Sequence, residues 1–226
     1  MTGIDDLTRL CPPPAPPPVV DWPIVEAALG MRLPGDYKQL ASTYGPGAFC
    51  DFIRIYHPHA LTAWVNLTGP MPATLRAQLT QDRNQGRFPV PHDPQSLFAV
   101  GVTDNGNHLF WITTPETDPD AWRIAVNEAR GHDWYTFDGT LTEFLAAVLG
   151  GQVQVSAFPD DLLHAGASFT PSPAPPGPAQ AAPLSSGRRI DSKAVREWAR
   201  ANGYDLPDRG RIPAEILQAW EEAHPA

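Results

Sequence analysis

The 226-residue chain has only two cysteines and no long apolar run. Cys11 adjoins a proline tract, so the Cys11/Cys50 pair predicts no structural disulfide and favours a cytoplasmic location. No apolar stretch approaches the length of a membrane span, and residues 1–10 lack the apolar core of a secretory signal. We therefore expect no membrane contact, and the hydrophobic content of 42% suffices for a buried core.

Residues 21–150 also lack a convincing catalytic or metal-binding constellation. His57 and His59 could chelate a metal, but a proline separates them and no third ligand stands at a suitable spacing. Cys50 and a distant histidine could form a nucleophile pair, but no local signature supports one. The other candidates are His92-Asp93, His108 and His132-Asp133. With no phosphate-cradling glycine loop either, the sequence predicts no enzyme and no cofactor.

Positive charge is scarce over most of the chain and concentrated in one short segment. Residues 1–186 contain 9 Lys and Arg against 18 Asp and Glu, whereas residues 187–213 contain 7 against 4. DNA would repel the acidic part unless that part is held away from it. Any contact with nucleic acid therefore falls to the basic segment.

Composition divides the chain into four parts. Residues 1–20 end in a tract with six prolines in seven positions, which predicts an extended tail without a core, either a spacer or a ligand for a proline-binding module. Residues 21–168 predict an α+β domain with an antiparallel sheet. Residues 169–187, rich in Pro, Ala and Ser, predict a linker, and residues 188–226 predict a small all-α helix–loop–helix domain.

The first half of the α+β domain alternates helix and strand patterns. Asp21 is a predicted N-cap of a helix that stops at Gly30 and whose apolar face is formed by Ile24, Ala27 and Ala28. The following segments are a helix over 35–44, one strand over 49–56, a strand or short helix over 61–67, and a helix over 73–83.

The second half of the domain has the pattern of a meander closed by a helix. Strands over 97–102 and 108–112 are joined by an Asn-Gly turn at 104–107. Two more strands are predicted over 122–126 and 134–137, and a helix over 140–149 begins with the capping-box spacing of Thr140 and Glu143.

The small domain is predicted to contain two helices around a loop. Asp191 or Ser192 caps the first helix, Asn202-Gly203 ends it, and Pro213 opens the second. Its predicted core is formed by Val195, Trp198, Ile212, Ile216, Leu217 and Trp220. Such a core is below the size at which a domain is comfortably stable alone.

The loop of this domain presents two arginines one glycine apart, Arg209-Gly210-Arg211. A thin, positive pair of guanidinium groups suits the narrow minor groove of A·T-rich DNA, where negative potential is concentrated. The alternative is that both arginines are solvated or paired with Asp205 and Asp208.

Two longer runs surround that tripeptide, Val195-Arg-Glu-Trp-Ala-Arg-Ala-Asn-Gly-Tyr204 and Asp208-Arg-Gly-Arg-Ile-Pro-Ala-Glu-Ile216. They resemble the C-terminal DNA-binding domain of the Lsr-two family, the actinobacterial histone-like nucleoid proteins. The resemblance implies a nucleoid-associated, regulatory protein that inserts Arg209 and Arg211 into the minor groove of A·T-rich DNA, with Gly210 allowing close approach. It also implies supporting contacts to DNA from Arg188, Arg189, Lys193, Arg196 and Arg200.

The rest of the chain departs from that family, because the small β-rich oligomerisation domain that lets its members bridge DNA is missing here. The helix–loop–helix shape also looks like the peripheral subunit-binding domain of acyltransferase complexes, but the sequence shows no acyltransferase chemistry.

Residues 21–150 resemble the SUKH superfamily, which includes the Smi/Knr proteins. The resemblance is carried by Trp22, Ile24, Glu26, Leu29-Gly30, Leu33-Pro34, Asp36-Tyr37, Leu40, Tyr44-Gly45, Gly47-Ala48-Phe49, Phe98-Ala-Val-Gly101, Asp104-Asn-Gly-Asn107 and Trp111. It implies a protein-interaction domain. Bacterial members are typically immunity proteins that neutralise polymorphic toxins, often nucleases, so toxin neutralisation is the alternative function. The acidic surface would suit the basic groove of a nuclease, or it would only support solubility.

Overall fold

A computed structural model of the chain describes residues 3–14, 19–86, 88–129, 132–172, 198–199 and 220. The chain divides into two compact units, residues 1–175 and 176–226. The helices and strands given below all belong to the first unit, which we call the α+β domain. Its antiparallel sheet and flanking helices confirm the fold class predicted for this region. The predicted all-α architecture of the second unit lies outside the described residues.

The α+β domain contains five described α-helices and seven described strands. The helices are α1 Gly3–Leu10, α2 Trp22–Leu29, α3 Gly35–Tyr44, α4 Met71–Gln85 and α5 Leu141–Leu149. The strands are β1 Gly47–Phe49, β2 Ile53–Ile55, β3 Leu97–Thr103, β4 His108–Ile112, β5 Arg123–Asn127, β6 Trp134–Phe137 and β7 Phe169–Pro171. Their order in the sheet is β6-β5-β4-β3-β2-β1-β7, and each neighbouring pair is antiparallel.

The central hairpin of β3 and β4 forms as the Asn-Gly turn predicts. Val102 pairs with His108, and Gly106 adopts a φ of 84°, the left-handed conformation that glycine accepts without strain. Successive residues of β3 and β4 are buried, so other elements cover both faces of these strands. Helix α4 packs against β3, and α5 packs against β5.

The predicted helix signals act where the sequence places them. The Asp21 carboxylate accepts a hydrogen bond from the Ile24 amide at 3.3 Å, and Gly30 ends α2 in the left-handed conformation. Thr140 and Glu143 form both hydrogen bonds of a capping box at the start of α5. The side chains of Asp21, Thr140 and Glu143 thereby accept hydrogen bonds from backbone N–H groups that the start of a helix leaves without a partner.

The apolar face predicted for α2 is wrong. The side chain of Ile24 is 67% exposed, and Ala27 and Ala28 are exposed as well. Val25 is buried instead, with Trp22 and Leu29 partly buried against the core. Positions 22, 25 and 29 share one helical face, so this eight-residue helix uses the stripe next to the predicted one.

The single strand predicted over 49–56 is also wrong, since β1 and β2 form a hairpin. Cys50 and Asp51 take φ values of 50° and 51°, and the Phe52 amide donates to the Phe49 carbonyl at 2.9 Å to close the turn. Non-glycine residues seldom adopt this conformation. The sequence therefore contained no sign of a turn here, and the apolar residues on both sides suggested one continuous strand. Residues 61–67, predicted as a strand or a short helix, form turns instead.

The tail predicted over 1–20 begins with a helix that belongs to the core. Helix α1 packs against α5 and α3, and the side chains of Leu7 and Cys11 are fully buried. A Cβ built on Gly3 would lie 2.6 Å from the Glu143 nitrogen, so only a glycine permits this approach. This eight-residue helix has few apolar positions, so the sequence pattern alone does not distinguish it from the proline tract that follows.

The linker predicted over 169–187 likewise begins with a strand. Strand β7 pairs with β1, and the ring centroid of Phe169 lies 4.9 Å from those of Tyr44 and Phe49. One aromatic residue therefore anchors a segment whose composition otherwise indicates a linker.

Aromatic rings form the centre of the core. The Trp111 ring centroid lies 5.1 Å from that of Tyr37 and 5.9 Å from those of Phe98 and Trp122. Trp111 is 1% exposed, so it joins α3 to the middle of the sheet. Large buried rings of this kind contribute several kcal/mol to folding, at about 150–250 Å² of buried area each.

Candidate nucleic-acid interface

The second unit has three described residues. Trp198, Ala199 and Trp220 are helical, Ala199 is fully buried, and both tryptophans are partly buried. This agrees with helices at these positions and with apolar positions facing a core. The side chains predicted to contact DNA lie outside the described residues: Arg188, Arg189, Lys193, Arg196, Arg200, Arg209, Gly210 and Arg211. Their roles stay predictions.

The described basic side chains of the α+β domain are already engaged within it. Five form ion pairs, namely Arg9–Asp6, Lys38–Glu26, Arg54–Asp104, Arg83–Asp93 and Arg123–Asp138. Arg32 donates to the Thr117 carbonyl and Arg76 to the Leu97 carbonyl. Because acidic residues outnumber basic ones two to one over residues 1–186, we do not expect these seven side chains to form a basic surface for phosphates.

The His57 and His59 pair was considered as a metal chelate, but the ring of His57 is engaged in contacts within the domain. The His59 amide donates to His57 Nδ1 at 3.0 Å, so His57 carries its proton on Nε2, which lies 3.3 Å from the Ala41 carbonyl oxygen. Burial lowers the pKa of His57 to about 4. Both ring nitrogens are occupied, and within the described ranges no three His, Cys, Asp or Glu side chains are arranged to hold a metal ion.

The remaining catalytic candidates each make contacts of their own. His92 Nε2 lies 3.1 Å from the Thr136 hydroxyl oxygen, and burial lowers the pKa of His108 to about 4. His132 packs its ring 5.3 Å from that of Phe88. Among the described contacts, no hydrogen bond or ring contact joins two of these three histidines.

The two cysteines carry free thiols. Burial raises the pKa of Cys11 to about 11, so its thiol stays protonated, and the Cys50 thiol lies 3.8 Å from the Gly166 carbonyl oxygen. Across the described part of the chain, no hydrogen bond joins Cys50 to a histidine. The considered nucleophile pair is therefore not assembled there.

The loop over residues 57–70 forms a surface that was not predicted from the sequence. Its tip exposes two large apolar side chains, Leu61 at 60% and Trp64 at 68%. A signal was present in the sequence, because the 21 residues from 55 to 75 contain no Asp, Glu, Lys or Arg. Depletion of charge in a surface segment is typical of the centre of a protein interface.

Comparison with known proteins assigns the second unit. The family model of the Lsr2 DNA-binding domain matches residues 187–223, a range that includes every predicted DNA-contacting residue. No solved structure matches the chain. No helix among the described residues is long and apolar enough to cross a membrane. The SUKH resemblance of residues 21–150 stays a prediction, as does the toxin-neutralising alternative. The chain therefore contains a Lsr2 DNA-binding domain in residues 187–223, which makes DNA a partner of this protein.

Proposed function

We propose that this protein binds A·T-rich DNA by inserting Arg209 and Arg211 into the minor groove. The observation that carries the proposal is the Lsr2 DNA-binding domain match, because its range contains the Arg-Gly-Arg loop. Gly210 has no side chain, so in this proposal the backbone between the two arginines can approach the groove floor. A narrow groove concentrates negative potential, and A·T-rich sequence favours such a groove.

Phosphate contacts position the loop and supply the salt-dependent part of the affinity. We assign them to Lys193, Arg196, Arg200, Arg188 and Arg189, which lie in the same matched range. Arg196 and Arg200 are four residues apart in a predicted helix and so share one face. Phosphate contacts carry no sequence information, so the preference for A·T falls to Arg209 and Arg211.

The α+β domain supplies protein interaction in this proposal. Its described cations are engaged internally and its carboxylates are in excess, so it does not favour contact with DNA. The protein works by binding, without catalysis or a cofactor, at the bacterial nucleoid, where it regulates transcription or organises DNA. The seven-strand sheet provides a scaffold on which loops form a binding surface.

The test is a fluorescence-anisotropy titration of the full chain against A·T-rich and G·C-rich duplexes of equal length, at two salt concentrations. We expect tighter binding to the A·T-rich duplex, and we expect that ratio to survive added salt while both affinities fall. Equal affinities for the two duplexes would refute minor-groove selection.

The double variant Arg209→Ala/Arg211→Ala should lose about 1–3 kcal/mol of A·T-duplex affinity per side chain and most of the preference. Arg209→Lys/Arg211→Lys keeps both charges but removes the planar guanidinium groups, so it should lose more preference than affinity. Arg83→Ala is the matched control: it removes one arginine from the α+β domain and should leave binding unchanged. Unchanged binding by the double alanine variant would overturn the assignment of Arg209 and Arg211.

A further inference from the structure

The loop over residues 57–70, which we call the Trp64 loop, is cross-linked by its own hydrogen bonds. The His57 amide donates to the Val65 carbonyl at 3.1 Å, and the Leu67 amide donates to the His57 carbonyl at 3.4 Å. Val65 also donates to the Thr62 carbonyl at 3.3 Å, which closes a turn at the tip. A loop with these cross-links loses little conformational entropy when it binds.

Asn66 and Gly69 tighten the loop further. The Asn66 amide group donates to the Pro58 carbonyl at 2.9 Å and to the Ala60 carbonyl at 3.2 Å. Its carbonyl oxygen accepts from the Thr68 amide at 2.9 Å. A Cβ on Gly69 would overlap the Ala63 carbonyl oxygen, so the two sides of the loop are in direct contact.

Anchors below the tip fix the direction in which it points. Leu67 is fully buried and His57 is 2% exposed, while residues 61–64 are all exposed. A buried leucine and a buried histidine therefore fix the base of the loop, while Leu61 and Trp64 at its tip are exposed to solvent. Exposing large apolar groups is unfavourable by about 25 cal/mol per Å², so a preorganised exposed tryptophan indicates a binding role.

Charge restricts what this tip can meet. The 21 residues from 55 to 75 carry no formal charge in a domain where acidic side chains outnumber basic ones two to one. A cationic partner would gain nothing at the tip and would be drawn to the carboxylates elsewhere. A second copy of this domain has the same twofold excess of acidic residues and the same charge-free tip, so two copies approach with least repulsion tip to tip.

We propose that the Trp64 loop is a self-association surface on which two copies of this chain meet through Trp64 and Leu61. A two-fold contact places the same residues on both sides, and an uncharged apolar tip complements itself. The proposal does not depend on DNA binding. Its consequence for DNA is that each pair of chains carries two DNA-binding domains.

The area available makes the association weak. Two tryptophans and two leucines bury much less than the roughly 1,200–2,000 Å² of a stable interface. The dimer therefore depends on protein concentration. Two chains bound to neighbouring sites on DNA would have a high effective concentration, so a weak contact is sufficient there.

Sedimentation equilibrium of the full chain over a wide concentration range tests the proposal. We expect a monomer–dimer equilibrium, and we expect Trp64→Ala to weaken it at least tenfold, because it removes the largest exposed ring. Ile24→Ala is the matched control, since Ile24 is 67% exposed but lies on α2. A monomer at every concentration, or equal effects of the two variants, would overturn the proposal.

A charge-swap pair distinguishes self-association from binding to another protein and does not require the tryptophan to be removed. Leu61→Asp alone and Leu61→Lys alone should each reduce dimerisation, because a tip-to-tip contact sets like charges against each other. A mixture of the two variants should associate more tightly than either alone. Failure of the mixture to recover association would refute a tip-to-tip contact. Circular dichroism of each variant checks that the exposed substitution leaves the fold unchanged.

Discussion

The balance of basic and acidic residues differs between the two regions of this chain. In the α+β domain, the seven described basic side chains are each held by a carboxylate or a backbone carbonyl, amid a twofold excess of acid over residues 1–186. In residues 187–213, seven basic side chains stand against four acidic ones, inside the Lsr2 DNA-binding domain match. The net charge of −9 therefore describes the first region and conceals the second.

The strongest way to test this division is to damage the core of the α+β domain. Trp111→Ala should lower its free energy of unfolding by about 3–5 kcal/mol, because it removes a ring packed against Tyr37, Phe98 and Trp122. Urea unfolding measures the loss. If DNA affinity belongs to residues 187–223, the A·T-duplex affinity should stay at the parent value.

Two results of that experiment would break the comparison. A matching loss of DNA affinity would mean that the α+β domain contributes to the DNA interface. A loss of stability below about 1 kcal/mol would contradict the central position of Trp111 in the core.

Acid should act on the α+β domain through its buried histidine. The pKa of His57 falls from 6.5 to about 4 on burial, so the unfolded chain takes up the proton first. The contribution of His57 to the free energy of unfolding is fully present above pH 6.5. It is lost as the pH falls towards 4, and a shift of this size corresponds to about 3 kcal/mol. His108, whose pKa is lowered to about 4 by burial, contributes with the same sign.

His57→Gln isolates this contribution. Glutamine keeps a donor for the Ala41 carbonyl but does not titrate in this range. Urea unfolding between pH 7 and pH 4 should show a smaller loss of stability for the variant than for the parent. Identical slopes would mean that His57 titrates normally in the folded state.

The smallest expected effect comes from an ion pair at the surface of the α+β domain. Arg83 and Asp93 lie 3.4 Å apart, with side chains 51% and 64% exposed. Arg83→Ala should cost less than about 1 kcal/mol of unfolding free energy, because water and salt screen such pairs. Thermal unfolding measures this cost, and a larger one would show that the described ion pairs stabilise the domain more than their exposure indicates.

Local signals in the sequence predicted the elements that have clear ends. Asp21, Gly30 and the pair Thr140 and Glu143 mark helix boundaries by hydrogen bonding, and the Asn-Gly turn marks the hairpin of β3 and β4. These signals need no knowledge of distant residues. The antiparallel sheet was predicted from such signals. The bounds of α3 and α4 were also predicted to within two residues.

Most of the errors arose where distant contacts decide the structure, and one where a local turn uses uncommon residues. Helix α1 and strand β7 are held by partners far away in sequence, α5 for α1 and β1 for β7. The apolar face of α2 depends on where Tyr37 lies, since the Trp22 ring packs 5.8 Å from it. The turn at Cys50 and Asp51 uses residues that seldom form one.

The candidate sites divide in the same way. The Lsr2 DNA-binding domain could be found from sequence because one short, contiguous segment carries its motifs, and the family model matches that segment; the roles of Arg209 and Arg211 stay predictions. The Trp64 loop could not, because exposure of a tryptophan depends on how Leu67 and His57 anchor it. Its charge-free run was the only trace in the sequence.

Helix α1 has a practical consequence for anyone who dissects this protein. A fragment started at Asp21, the natural choice when the proline tract is taken for a spacer, would remove Leu7 and Cys11 from the core. It would also uncover the side of α5 on which α1 packs. Such a fragment should precipitate or bind chaperones, and a negative result obtained with it in a search for partners would report on the truncation rather than on the domain.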